Sequence, residues 1–129
     1  MVKRGILNPS LASLLCRFRH TNTIVVADRG FPSWPGLETV DLSLVDGIPT
    51  VVQVLEALKA DYVIAEATMA EEFKTANSGE TQEAFHQALG DTPIEFVSHL
   101  DLKSRVPGAI GLIRTGDTVQ YANVLLVSG

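Results

Sequence analysis

Apolar residues along this chain fall into runs of two kinds, and their alternation predicts the fold class. Leu11, Leu14, Leu15 and Phe18 stand at helical spacing, as do Val51, Val54, Leu55 and Leu58 further on. Each set gives a helix one apolar face. Ser10 is placed to cap the first helix, predicted over about 10–19, and Thr50 to cap the second. Between and after them, "TIVVAD", "YVIAEATMA" and "IEFVSH" are short apolar runs bounded by polar residues. That pattern predicts strands buried on both faces. The second of these strands is expected to end near Ala67, with "ATMAEEFKTAN" and "GETQEAFHQALG" as helical pieces broken at Asn77–Gly79.

Weaker signals fill the gaps. "RGFPSWPG" holds two prolines and two glycines and must be a loop. A short strand is expected over Glu38 to Asp41, and "LDLKSRVPG" forms a helical turn stopped by Pro107. "AIGLIRTGD" and "YANVLLVSG" read as two closing strands around a Thr-Gly-Asp turn. Strands alternating with helices predict an α/β domain over 1–129 with a mostly parallel sheet. The end of the chain is expected to be hairpin-like, its last strand antiparallel to its neighbours.

Composition changes this picture mainly by exclusion. The 129 residues carry a formal charge of −5, with 46% hydrophobic and 19% charged positions. Such a balance suits one globular core and disfavours a nucleic-acid or anionic-membrane surface, which needs clustered Lys and Arg. The apolar runs are too short to cross a membrane as a helix, and the start of the chain has no secretory pattern, so the cytoplasm is the expected location. Cys16 is the sole cysteine; it is expected to be a small buried hydrophobe rather than a reactive thiol. No phosphate-cradling Gly-rich loop opens a helix, and no GxSxG elbow or zinc-helix motif is present. Glu80, Glu83 and His86 read as the solvated side of a helix, not as metal ligands.

Candidate chemistry sits where strands end. Ligands of open α/β sheets bind outside the carboxyl ends of strands, and Asp28 and Ser98–His99 fall at two such ends. Glu66 is a further candidate for that rim. An antiparallel last strand would bring Tyr121, Ala122 and Asn123 to the same place. His20 stands at the other mouth of "TIVVA". On this basis His20, Asp28, His99, Tyr121 and Asn123 are expected to share one pocket for a small, polar or neutral molecule. Each also has a plainer role open to it: His20 or His99 as a helix cap, Asp28 as a turn residue, Tyr121 as half-buried packing.

Taken in order, "HTNTIVVADRGFP", "GIPTVVQVL", "EAT", "AEEF", "SHLDLK" and "IRTGDTVQYANVLL" resemble the D-ribose pyranase family, the sugar mutarotase group that also holds the fucose mutarotases. The likeness runs from about Gly5 to the last residue. It implies a three-layer α/β sandwich, a mutarotase that interconverts pyranose and furanose forms of a free aldose, and no metal or cofactor. By the same resemblance His20 matches the family's catalytic histidine. Asp28, His99 and Tyr121–Ala122–Asn123 match its sugar-binding positions. His99 points to the ribose branch. Rings of five copies, stacked into a decamer, are implied too, with sites near subunit boundaries. Arg19, Arg29 and Trp34 depart from the family pattern and bear on the choice of sugar. A fucose or other aldose mutarotase, a non-catalytic sugar-binding module and a nucleotide-binding domain stand as alternatives.

Overall fold

The first helix is shorter than its apolar spacing predicts, for reasons visible at both ends. In the computed structural model, which describes residues 1–129, α1 spans Pro9–Cys16 and its cap is Asn8, not Ser10. Asn8 Oδ1 accepts the Leu11 N–H at 2.9 Å, and proline at the first helical position loses no hydrogen bond. At the other end the Arg17 and Phe18 N–H groups turn back to the Leu14 and Leu15 carbonyls, tightening the last turn. Leu11, Leu14, Leu15 and Phe18 face the core, as their spacing predicts. Cys16 does not: it is exposed, because the face that buries those four residues turns it outward.

The chain continues with β1 (Thr23–Ala27), β2 (Thr39–Asp41), α2 (Val51–Asp61), β3 (Ile64–Ala70), α3 (Glu71–Ala76), α4 (Gly79–Leu89) and β4 (Ile94–Val97). After these come α5 (His99–Arg105), a 3₁₀ turn (Val106–Gly108), β5 (Gly111–Arg114) and β6 (Val124–Ser128). α2 begins where predicted. Thr50 accepts the Gln53 N–H and the Gln53 side chain accepts the Thr50 N–H, a reciprocal cap. β3 runs three residues beyond the expected Ala67, since pairing with β4 on one side and β6 on the other holds it extended to Ala70. The helical piece expected from Ala67 therefore starts at Glu71.

The six strands form one sheet in the order β2-β5-β1-β6-β3-β4. β6 is antiparallel to β1 and β3, as expected, and the remaining pairs are parallel. The hairpin-like ending does not form: β1 lies between β5 and β6, so the two closing strands never pair. Alternate residues of the strands serve opposite faces. Ile24, Val26, Val124 and Leu126 pack with α1, α2 and α4 into the larger core. Val25, Ala27, Leu112 and Leu125 pack with Phe31, Leu102 and Val106 on the other side. The result is a mixed α/β fold with the sheet as the middle of three layers. Gly111 shows how closely α1 lies on the sheet: a Cβ there would come within 2.6 Å of Leu14 Cδ1. No helix is long and apolar enough to cross a membrane.

Candidate functional site

Parallel pairing brings the carboxyl ends of β1, β3, β4 and β5 to one edge of the sheet, where the antiparallel β6 begins. Asp28, Glu71–Glu72, Ser98–His99 and Thr115–Asp117 follow those strands directly, and Asn123 precedes β6. A cavity of about 370 Å³ lies against this edge. Asp28, Phe31, His99, Asp117, Tyr121 and Asn123 are among the residues lining it.

Asp28 and Asn123 form its floor. The buried Asn123 accepts the Asp28 N–H on Oδ1 at 2.9 Å, which ties the end of β1 to the start of β6. Asp28 Oδ1 accepts the Gly30 N–H at 2.9 Å, so the plainer turn role is real, and the same side chain still lines the cavity. Burial pushes the Asp28 carboxyl above its ordinary value. Hydrogen bonds from the Gly30 N–H, the Asn123 amide and the Phe31 N–H pull it back, while the charge of Asp117 raises it further.

Asp117 lines the same cavity but is committed elsewhere. Its Oδ2 accepts the Val51 N–H at 2.8 Å at the start of α2, and its Oδ1 accepts the Val119 N–H at 2.9 Å. Its carbonyl accepts the Arg29 N–H at 3.1 Å. With both carboxylate oxygens and its carbonyl engaged, Asp117 ties its own turn to the start of α2 and to the loop after β1, which leaves Asp28 as the acid facing the ligand space.

The walls are aromatic and fixed. His99 meets Phe31 edge-on with centroids 6.3 Å apart, and Tyr121 at 5.1 Å and 79°. Trp34 stacks on Phe31 at 5.2 Å, so it braces the wall from outside the cavity lining. Tyr121 has φ +55°, a left-handed conformation that side chains rarely adopt. Asn77 helps to hold it there: its amide donates at 2.9 Å to the carbonyls of Gln120 and of Phe73. The Arg114 guanidinium donates to the Phe31 carbonyl, to the Arg29 carbonyl at 3.3 Å and to Ser33 Oγ at 3.3 Å. That clasp fixes the loop after β1.

Three sequence expectations need correction. His20 does not share this cavity. It precedes β1 while Asp28 follows it, and five extended residues put about 16 Å between the two ends. Nor does His20 cap α1; Arg19 does, its Nε donating to the Cys16 carbonyl at 2.9 Å. Ala122 is fully buried in the larger core, so its side chain is beneath the cavity rather than in it. Glu66 lies within β3 beside a bulge, exposed and away from the rim. Glu80, Glu83 and His86 are exposed on α4, and no cluster of three His, Cys, Asp or Glu side chains is placed to hold a metal ion.

The turn that carries His20 is nonetheless firmly built. The Arg19 N–H donates to Asn22 Oδ1 at 2.9 Å, and the Thr21 N–H donates to the Ser128 carbonyl at 3.0 Å. Thr21 has φ +69°. A β-branched residue at positive φ is a strained arrangement, and here it presents an exposed imidazole. Thr21 and Tyr121 are the two non-glycine residues at positive φ, and each stands at or beside a candidate site residue.

Phe31, Asp117 and Glu72 were not singled out from the sequence. For the last two a signal existed: each falls within three residues of a parallel strand's carboxyl end, the rule that marked Asp28 and His99. Arg29, the one lysine or arginine in the lining, pairs with Asp46 at 3.0 Å. With that charge answered, the cavity suits a small neutral ligand rich in hydroxyls: amide, carboxyl and imidazole groups for the hydroxyls, ring faces for C–H surface. An α/β protein with a cavity for such a ligand is the class these features define.

The chain belongs to the RbsD / FucU transport protein family, whose model matches residues 1–129. It is 42% identical over 129 residues to D-ribose pyranase of Geobacillus thermodenitrificans (strain NG80-2), covering 100% of this chain and 97% of that one. With D-ribose pyranase of Corynebacterium glutamicum (strain R) the identity is 43%, over 100% and 98% of the two chains. Among solved structures, Bacillus subtilis RbsD complexed with D-ribose matches with a TM-score of 0.92 at 35% identity, over 100% of this chain and 98% of that one. The fucose mutarotase of Streptococcus pneumoniae in complex with L-fucose matches at a TM-score of 0.82 and 20% identity, over 99% and 98%. That last likeness bears on the fold alone.

Proposed function

We propose that this protein is a sugar mutarotase that interconverts the pyranose and furanose forms of free D-ribose. The observation that carries the proposal is the hydroxyl-suited cavity of Asp28, His99, Tyr121 and Asn123 in a chain about two-fifths identical to D-ribose pyranases. Ring opening needs a proton delivered to the ring oxygen as its bond to C1 breaks, and a proton removed from the C1 hydroxyl. The open aldehyde rotates, and the C4 hydroxyl closes on C1 where the C5 hydroxyl had been. The reverse steps return the pyranose. Atoms balance without a redox partner, and a positioned acid–base group contributes about 10² to 10⁴-fold. Histidine, with an unperturbed pKa of about 6.5, exists in both protonation states near neutral pH.

In this reading His20 is the proton donor, while Asp28, His99 and Asn123 bind hydroxyls and Tyr121 supplies a hydroxyl and a wall. The main chain of Ala122 serves the site in place of its buried methyl. Because His20 lies at the far end of β1 from the cavity of its own chain, its partner cavity belongs to a second copy. A rigid turn offering an exposed histidine supports that arrangement. Exposed apolar residues do too: Leu100 beside His99, and Leu44, Val45 and Ile48 on the loop that carries Asp46. A closed ring of copies supplies every cavity with a neighbour's His20. Pentameric rings stacked as a decamer, in the cytoplasm, complete the proposal.

The separation of His20 from the cavity favours one rival, a sugar-binding module without catalysis. Magnetisation-exchange NMR on equilibrated D-ribose, L-fucose and other aldoses, with catalytic amounts of the protein, decides between them. Faster pyranose–furanose exchange for ribose is the expected result. Acceleration confined to another sugar would move the assignment to that sugar. Binding without acceleration would establish the module.

A further inference from the structure

We infer that Glu72 is a positioning residue for His99, a step that rests on the reading of His99 as a sugar contact. The strand register sets the pair side by side. Ala70 of β3 stands opposite Val97 of β4 in parallel pairing, and Glu72 and His99 each follow two residues later. Both Glu72 carboxylate oxygens accept the His99 N–H, at 3.1 and 3.0 Å.

The imidazole itself has little to anchor it. Its Nδ1 is buried and has no hydrogen-bond partner, and the ring's neighbours are the edges and faces of Phe31 and Tyr121. Aromatic contacts limit tilt but tolerate sliding. The sealed Nδ1 leaves Nε2 as the nitrogen open to a ligand, and its place is set by where the main chain holds the residue. Glu72 is the polar group that fixes that main chain from outside α5. Ser98, the helix cap, holds the Asp101 N–H instead.

The test is a double-mutant cycle between Glu72 and His99, read as the ribose dependence of NMR exchange rates so that KM and kcat separate. A hydrogen bond to a charged group corresponds to about a tenfold effect or more on binding. Glu72→Ala is therefore expected to raise KM about tenfold in the wild-type background, with a smaller change in kcat, and to add nothing in the His99→Ala background. Glu72→Gln keeps an acceptor of the same reach and is expected to restore KM to within about twofold. Glu72→Asp keeps the charge but withdraws it, so it should behave like Glu72→Ala, and it preserves the test should the alanine variant fold poorly. The ¹⁵N and ¹H signals of the His99 imidazole should move in the Ala and Asp variants and not in Gln.

Equal losses in both backgrounds would overturn the inference, as would an unchanged KM in variants where His99→Ala raises it. If His99→Ala itself leaves KM unchanged, the reading of His99 as a sugar contact fails. The imidazole signals then decide on Glu72 alone: unmoved signals overturn the positioning role, and moved ones uphold it.

Discussion

Replacing Asn123 by alanine tests the hydrogen bond that ties the end of β1 to the start of β6, and it does so in two pH regimes. The substitution removes Oδ1 from the Asp28 N–H, a bond of 2.9 Å at a buried residue. An N–H left without a partner in such a place costs about 1–3 kcal/mol. It also removes the amide that draws the Asp28 carboxyl downward. Asp28 already binds its proton more tightly folded than unfolded, because burial raises it. Where the folded chain holds more protons than the unfolded one, stability falls as pH rises. That fall begins at the ordinary aspartate value of about 3.9 and ends once pH passes the raised folded value. Without the amide the folded value rises further and the window widens. The Asn123→Ala deficit is therefore largest at neutral pH and shrinks to the hydrogen-bond component on acidification towards about pH 4. For a chain of this size the neutral-pH loss is a drop in Tm on the order of 5 °C. Denaturant titrations of both proteins, at matched concentration and several pH values, give the comparison. An unchanged stability, or a deficit that grows as the pH is lowered, would refute the reasoning.

Two further substitutions follow from the same geometry. Asp28→Asn keeps an oxygen for the Gly30 N–H and removes a carboxylate that burial disfavours. It is expected to raise Tm at neutral pH with no gain below the aspartate range, while slowing sugar exchange; thermal melts at the two pH values check it. A Cβ on Gly116 would run into the carbonyl oxygens of Val45 and Ile48, which are backbone and cannot swing aside. Gly116→Ala should thus cost about 1–3 kcal/mol in denaturant titrations by displacing the loop that carries Asp46. Gly79→Ala, where nothing lies within 4 Å, serves as its control and should be neutral or slightly stabilising.

What the sequence reveals divides along a physical line, between local and non-local causes. The start of α2 is local: Thr50 and Gln53 cap each other whatever the rest of the chain does. The helical faces of α1 and α2 are equally local, set by residue spacing. Strand order is not, since loop-closing β1 between β5 and β6 depends on pairings far apart in the chain. The length of β3 is decided by its two partners, and the exposure of Cys16 by which face of α1 meets the core. At the site, the strand-end rule placed Asp28, His99 and Asn123 on one rim because β6 is antiparallel. The same rule pointed to Asp117 and Glu72, whose residue types and turn contexts masked them as loop and helix surface. The place of His20 is where that rule reaches its limit. "TIVVA" is recognisable as a strand, and a strand separates its ends, so His20 and Asp28 of one copy stand apart.

The central claim is that His20 of one copy acts at the cavity of another, and complementation between inactive variants tests it most directly. His20→Ala and Asp28→Ala proteins, each measured alone by ribose exchange NMR, are mixed under conditions that let subunits redistribute. The account predicts two nearly inactive parents and a mixture regaining about a quarter of wild-type activity, the share of sites drawing an intact His20 and an intact cavity from different copies in a closed ring. A mixture no more active than its parents, with mixed assemblies shown to have formed, would contradict it.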